Sequence, residues 1–136
     1  MFHLVVVAID PYTYESSWLL ETAGRILDEL AEADCRVGWL VTADEKDASA
    51  FLGPWRDRFM TFCDPERNVV TSLELNELPA LVHIGNDLSI IGIAEGWDPA
   101  TWRPVTDNLA KMMSWNKPLF PKPGDPLPFA GSPAKG

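Results

Sequence analysis

The sequence predicts an α/β domain built on a central mixed sheet of four to five strands flanked by helices, with a proline-rich C-terminal tail. Three observations lead there. Residues 4–9 form an unbroken apolar, largely β-branched run, the pattern of a parallel strand covered on both faces. A helical period follows, with Trp18, Leu19, Ala23, Ile26, Leu27 and Leu30 on one side. Further on, an apolar strand opening at Pro79 ends in Gly85-Asn86-Asp87, a hairpin turn signal that adds an antiparallel pair.

The elements can be justified in order. Asp10-Pro11 stops the first strand, and Ser16 or Ser17 caps a helix over 16–32, with Glu21 near its first turns. Residues 36–42 (RVGWLVT) form the second strand. Asp44 and the acids after it open a helix whose apolar side is Ala48, Phe51, Leu52 and Trp55, interrupted at Gly53-Pro54. A short strand over 60–63 is stopped by Asp64-Pro65, and a short helix covers 66–73. The strand over 79–84 pairs through its hairpin with 88–94. Asp98-Pro99 places an N-cap before a proline at the first helical position; that helix runs to 113, with a kink near Pro104. The last 21 residues hold six prolines with Phe120, Leu127 and Phe129 spaced among them. Such a segment is an extended strap that packs on the domain or on a neighbour. The organisation is a domain over 1–115 and a tail over 116–136.

Composition narrows the function. The chain has 136 residues, a net charge of -9 and 46% apolar residues, enough for one core. An acidic surface repels phosphate backbones and anionic lipid, so neither nucleic acid nor membrane is an expected partner. No apolar run reaches the ~20 residues of a membrane span. The first residues read as a strand and not as a signal peptide, and the expected location is the cytoplasm. Cys35 and Cys63 fit no disulfide scaffold and no zinc or redox spacing. His3 and His83 lie on predicted strands far from any second ligand, so they read as core or surface histidines, with no metal and no cofactor expected. No Ser-His-Asp set, phosphate loop or glycine fingerprint is present.

One ordered passage carries more. Phe62-Cys63-Asp64-Pro65-Glu66-Arg67, then Leu73-Glu74-Leu75, then Leu78-Pro79-Ala80-Leu81-Val82-His83-Ile84, then Glu95-Gly96-Trp97 and a closing helix, resembles the thioredoxin-like superfamily, nearest its peroxiredoxin and TlpA-type branch. The resemblance covers most of 4–113 and leaves out the tail. It implies that Pro79 is the cis-proline of that fold and that an extended substrate peptide pairs with the backbone beside it. It also implies a nucleophilic cysteine where the first strand turns into the first helix, since helix N-terminal amides lower a thiol pKa there. Here Tyr12-Thr13-Tyr14-Glu15 stands in place of Cys-x-x-Cys. Counted from Pro11, the Thr and Cys of the peroxiredoxin pattern are Glu15 and Trp18. A hydroxyl or carboxylate forms no mixed disulfide. Cys35 and Cys63 fall at opposite ends of neighbouring strands, ~13–17 Å apart, whereas a disulfide needs Cα atoms within about 7 Å.

The functional expectation is a redox-inactive, thioredoxin-like module binding a peptide or protein partner in a groove lined by Tyr12, Thr13, Tyr14, Glu15, Leu78, Pro79 and Trp97. Tyrosine and tryptophan bury area at low entropic cost and suit such a surface. Tyr12 and Tyr14 either bind or plug the space of the missing motif. The alternative is a thiol-dependent redox protein or sensor using Cys63, set against the favoured reading of Cys63 as a small buried sheet residue. A homodimer strapped by the tail is a third expectation. Trp18 and Trp39 are assigned to the core, and Trp102 and Trp115 to anchoring the tail or a dimer contact.

Overall fold

The protein is described by a computed structural model over residues 3–33, 35–87 and 89–136. Met1 and Phe2, ahead of the first expected strand, and the expected start of the second hairpin strand at Leu88 lie outside the described residues. The elements are β1 (Leu4–Ile9), α1 (Tyr14–Ala31), β2 (Arg36–Val41), α2 (Glu45–Leu52), α3 (Trp55–Arg58), β3 (Met60–Cys63), α4 (Asn68–Ser72), β4 (Glu77–Leu78), β5 (Ala80–Ile84), β6 (Ile90–Glu95), α5 (Pro99–Met112) and β7 (Ser132–Pro133).

Five strands form one mixed sheet in the order β3-β2-β1-β5-β6. β2 runs parallel to β1 and β3 to β2, while β5 and β6 add antiparallel pairs. β1 lies at the centre, which explains its continuous apolar run. Val5, Val7 and Ile9 face the larger core with Leu19, Ile26, Leu27 and Trp39, and Val6 and Ala8 face a smaller one with Leu40, Val70, Leu75 and Leu78. Successive side chains on a strand point to opposite faces, so a strand buried on both faces cannot alternate with polar residues. The local signals set the helix starts. Asp44 accepts from the Asp47 amide at 2.8 Å, and Asp98 accepts from the Ala100 amide at 2.9 Å. α2 stops at Leu52, before Gly53-Pro54, and α5 runs through Pro104.

Two expectations change here. Trp18 is not a core residue; it is 60% exposed. The buried face of α1 is Leu19, Ala23, Ile26, Leu27 and Leu30, and Trp18 belongs to the adjoining stripe with Thr22, Arg25 and Glu29. That stripe meets the tail. The Trp18 ring stands edge-on to Phe129, Thr22 and Arg25 donate to Asp125, and Glu29 lies 3.8 Å from the Lys122 ammonium. Nor are the two histidines apart. Antiparallel pairing sets Val5 opposite His83, which brings His3 diagonally against it, Nδ1 to Nε2 at 2.9 Å. Both rings are buried and His83 Nδ1 has no hydrogen-bond partner among the described residues. Burial, with a smaller effect from neighbouring His3, depresses the His83 pKa from 6.5 to about 4. Among the described residues no three His, Cys, Asp or Glu side chains come together as a metal site.

Candidate functional site at the proline edge

The carboxyl ends of the parallel β1 and β2, which the amino end of antiparallel β5 adjoins, are where an open α/β sheet presents a ligand site. Asp10, just past β1, is nearly buried. Its carboxylate accepts from the Tyr12 amide at 3.0 Å and from Arg67 Nη2 at 3.1 Å, while its carbonyl accepts from the Ser16 hydroxyl. These bonds fix the strand-to-helix junction without a side-chain cap at Thr13, the residue before α1. Tyr12 and Tyr14 are 64% and 84% exposed, so neither plugs the space of a missing motif. The Tyr12 hydroxyl donates to Asp47 at 2.6 Å, which, with minor help from desolvation and nearby carboxylates, raises its pKa to about 12. Tyr12 is therefore a neutral phenol at physiological pH.

The Leu78–Pro79 peptide is cis. The edge before it is occupied by the chain's own tail. Glu77 pairs with Pro133 and Leu78 with Ser132 in an antiparallel ladder. One step away, Trp97 and Phe129 exchange main-chain bonds at 3.0 and 2.9 Å. The Ala134 amide donates to the Asn76 carbonyl at 2.9 Å, and Arg67 Nη1 donates to the Ala134 carbonyl at 2.7 Å. Arg67 thus ties Asp10, at the first strand, to the end of the strap. Deeper in, Phe120 is buried near Trp97, whose indole donates to the Pro126 carbonyl at 2.9 Å. Trp102 stands edge-on to Trp97 at 4.9 Å and donates to the Gly96 carbonyl. Trp97 holds the tail and Trp102 backs it from α5, whereas Trp115 is 39% exposed.

The expected groove is accordingly divided. Thr13, Glu15, Leu78 and Pro79 still meet, in a cleft of about 110 Å³ whose other wall is Phe129 to Ser132. Leu78, Pro79 and Trp97 are buried. Trp97 opens with Glu77, Glu95, Asp98 and Phe129 onto a separate cavity of about 330 Å³. Tyr12 and Tyr14 line neither. What the sequence reading missed is the apolar ground beside them, a cavity of about 380 Å³ between Trp18 and strap residues Pro126, Leu127 and Phe129. The signal was present in the 18/22/25/29 spacing on α1, but that stripe is half polar and reads as a solvent face.

Neither cysteine is in a disulfide. Cys35 is half-buried at the start of β2, and Cys63 closes β3 opposite Val41. Contrary to the favoured reading, Cys63 is exposed, because β3 is an edge strand whose residues Met60, Phe62 and Cys63 are all exposed.

No family model matches the sequence, and no curated protein matches it. Solved structures do. A hypothetical protein, SMc02350, from Sinorhizobium meliloti 1021 superposes with a TM-score of 0.67 at 12% identity over 98% of this chain and 79% of its own. A thiol-disulfide oxidoreductase from Bacteroides fragilis superposes with a TM-score of 0.64 at 10% identity, over 82% of this chain and 81% of its own. A secreted Mycobacterium tuberculosis disulfide oxidoreductase gives 0.57 at 13% identity, over 83% of this chain and 81% of its own. Likeness at these identities is a likeness of fold. With its sheet order, its cis-proline before β5 and its helices on both faces, the chain has a thioredoxin-like fold whose strand-to-helix junction carries tyrosines where a Cys-x-x-Cys would stand.

Proposed function

We propose that this chain is a redox-inactive, thioredoxin-like binding module that takes an extended peptide of a protein partner along Glu77–Leu78, beside Pro79. One observation carries the reading. The strap docks on that edge as an added strand, through main-chain bonds from 129 to 134. Strand addition draws affinity from the backbone and selectivity from flanking side chains. An edge that accepts one extended segment has the geometry to accept another. A partner peptide takes the place of 129–133, with the exposed rings of Tyr12 and Tyr14 as its flanking contacts. The reading needs no thiol and no cofactor, and two cysteines outside any disulfide suit a reducing compartment, the cytoplasm. The test presents the full chain, and a Gly131→Val variant whose strap is pushed off the edge, to a displayed library of extended peptides. Enrichment of one peptide family on the variant, lost when Tyr12→Ala and Tyr14→Ala are added, is the expected result. No enrichment removes the edge from the account. Insulin-disulfide reduction is expected to be absent; measurable turnover would end the redox-inactive reading.

A second reading rests on the exposure of Cys63 at the end of β3. As a thiol-dependent sensor the chain forms an intermolecular disulfide through that residue. Intact mass after mild peroxide and alkylation decides it. Oxidation confined to Cys63 and abolished by Cys63→Ser favours the sensor, and thiols labelled only on denaturation remove it.

A further inference from the structure

The strap lies on the proline edge as a bound segment would, and its contacts say which side chains that edge accepts. Its ladder is main-chain. Phe129 exchanges two bonds with Trp97, the Ala134 amide donates to the Asn76 carbonyl, and Ser132 and Pro133 lie opposite Leu78 and Glu77. Every extended segment carries such groups, so they supply affinity without choosing a sequence.

The choice falls to three positions. At 129 the phenyl ring packs against the larger core and stands edge-on to Trp18, with centroids 6.3 Å apart, a geometry that aromatic pairs prefer. At 131 no side chain fits. A β carbon there would stand 2.7 Å from the Leu78 carbonyl oxygen and 2.8 Å from Glu77 Cβ, well inside van der Waals contact. The receiving chain is bare near the same place: Gly96, with a φ of +74°, would set its own β carbon 3.3 Å from the Phe129 carbonyl oxygen. At 134 the methyl group is fully buried in the smaller core with Val70, Leu75 and Leu78, and Arg67 donates to that residue's carbonyl at 2.7 Å. A close-packed site of that size resists a longer side chain. Ala130, Pro133 and Lys135 are exposed, so the edge does not dictate them.

We propose that the strap is the self-ligand of this edge, and that the partner segment which replaces it shares its register: an aromatic residue, glycine two places on and alanine five places on. The inference rests on the peptide-edge reading above and adds the partner's side-chain chemistry and its competitor. A tethered segment acts at an effective concentration of about 1 mM, so a free peptide of equal intrinsic affinity at ~10 µM fills about one edge in a hundred.

The probe is a labelled synthetic peptide of residues 127–136, titrated by fluorescence anisotropy into the full chain and into its Gly131→Val variant. The native chain is expected to bind it at least about tenfold more weakly than the variant does. On the variant, Phe129→Ala, Gly131→Ala and Ala134→Leu in the peptide are each expected to weaken binding at least about tenfold, and Ala130→Ser and Lys135→Ala to leave it within about twofold. Equal binding to both proteins overturns the self-ligand. A peptide that binds with no preference at 131 and 134 overturns the register and leaves the edge reading standing, because main-chain pairing alone then carries it. Failure of the strap peptide on a folded variant overturns the proposal, and the edge reading falls with it only if the displayed library also enriches nothing. Should Gly131→Val not fold, the ranking is read within the full chain, from exchange at the Trp97 and Ala134 amides that bond across the edge. Phe129→Leu, Gly131→Ala and Ala134→Val are each expected to speed it at least about tenfold and Ala130→Ser to leave it unchanged; equal rates in all four overturn the register.

Discussion

Gly131 lies so close to Leu78 that a β carbon there would stand 2.7 Å from the Leu78 carbonyl oxygen and 2.8 Å from Glu77 Cβ. Only a residue with no side chain lets the strap reach the proline edge. The glycine is required by this approach rather than by an unusual backbone turn.

Substitution at this point is therefore the direct test of strap docking. Gly131→Val is expected to lower stability by about 1–3 kcal/mol through overpacking against main chain that cannot move aside. It should also speed hydrogen exchange at the Trp97 and Ala134 amides, which bond to Phe129 and Asn76. Unchanged melting and unchanged exchange would show the strap to be no fixed part of the fold.

The strap's other anchor is Asp125. Its two carboxylate oxygens lie 2.7 and 2.8 Å from Nη1 and Nη2 of Arg25, and Thr22 adds a bond at 2.9 Å. The Arg25 bonds, helped by the Lys122 amide and Thr22, hold the carboxyl at about 2, below its ordinary 3.8. A carboxyl depressed in the folded state stabilises above its unfolded pKa, so this contribution is complete above pH 3.8 and is lost as pH falls through 2. Asp125→Asn is expected to cost about 2 kcal/mol at neutral pH and nothing at the acid end of that window. Urea midpoints of both proteins across pH check it; a difference that does not shrink with acid would assign the effect to packing.

The histidine pair gives a second pH dependence, in a higher window. His83 is held neutral with a pKa of about 4 against an ordinary 6.5, chiefly by burial. Below pH 6.5 the unfolded chain takes up a proton that the folded chain refuses. Stability is therefore complete above 6.5 and declines as pH falls to about 4, by about 3 kcal/mol. His83→Phe should flatten that slope, whatever its effect on absolute stability. A native chain with no slope between pH 4 and 6.5 would contradict the buried neutral pair.

Tyr12 offers a spectroscopic check on the junction. Its hydroxyl bond to Asp47 holds the pKa at about 12. Asp47→Asn removes the charged acceptor, and the Tyr12 titration, followed by absorbance near 295 nm, should move down toward 10. An unmoved titration would show that the junction and the start of α2 are not joined as described.

Much of this fold is local, and local signals are legible. Asp44 and Asp98 cap the helices they precede, Gly53-Pro54 separates α2 from α3, and the hairpin turn at Gly85 to Asp87 brings β6 back on β5. The buried strands announced themselves because they are covered on both faces. Other features depend on residues far apart in the chain. Trp18 reads as core because it borders the apolar stripe of α1, and only the strap's path decides which side of that border it falls on. Cys63 reads as buried because it sits in a strand, and only β3's place at the sheet edge exposes it.

By itself the sequence determined the order of strands and helices along the chain, a proline opening β5 and a strand-to-helix junction without a thiol, since each is written in short-range patterns of burial and turn chemistry. The tertiary structure alone decided that the tail fills the edge beside Pro79 and that His3 touches His83. Main-chain pairing and sheet adjacency leave almost no residue-specific trace, because every backbone offers the same donors and acceptors and only the packed chain chooses which of them meet.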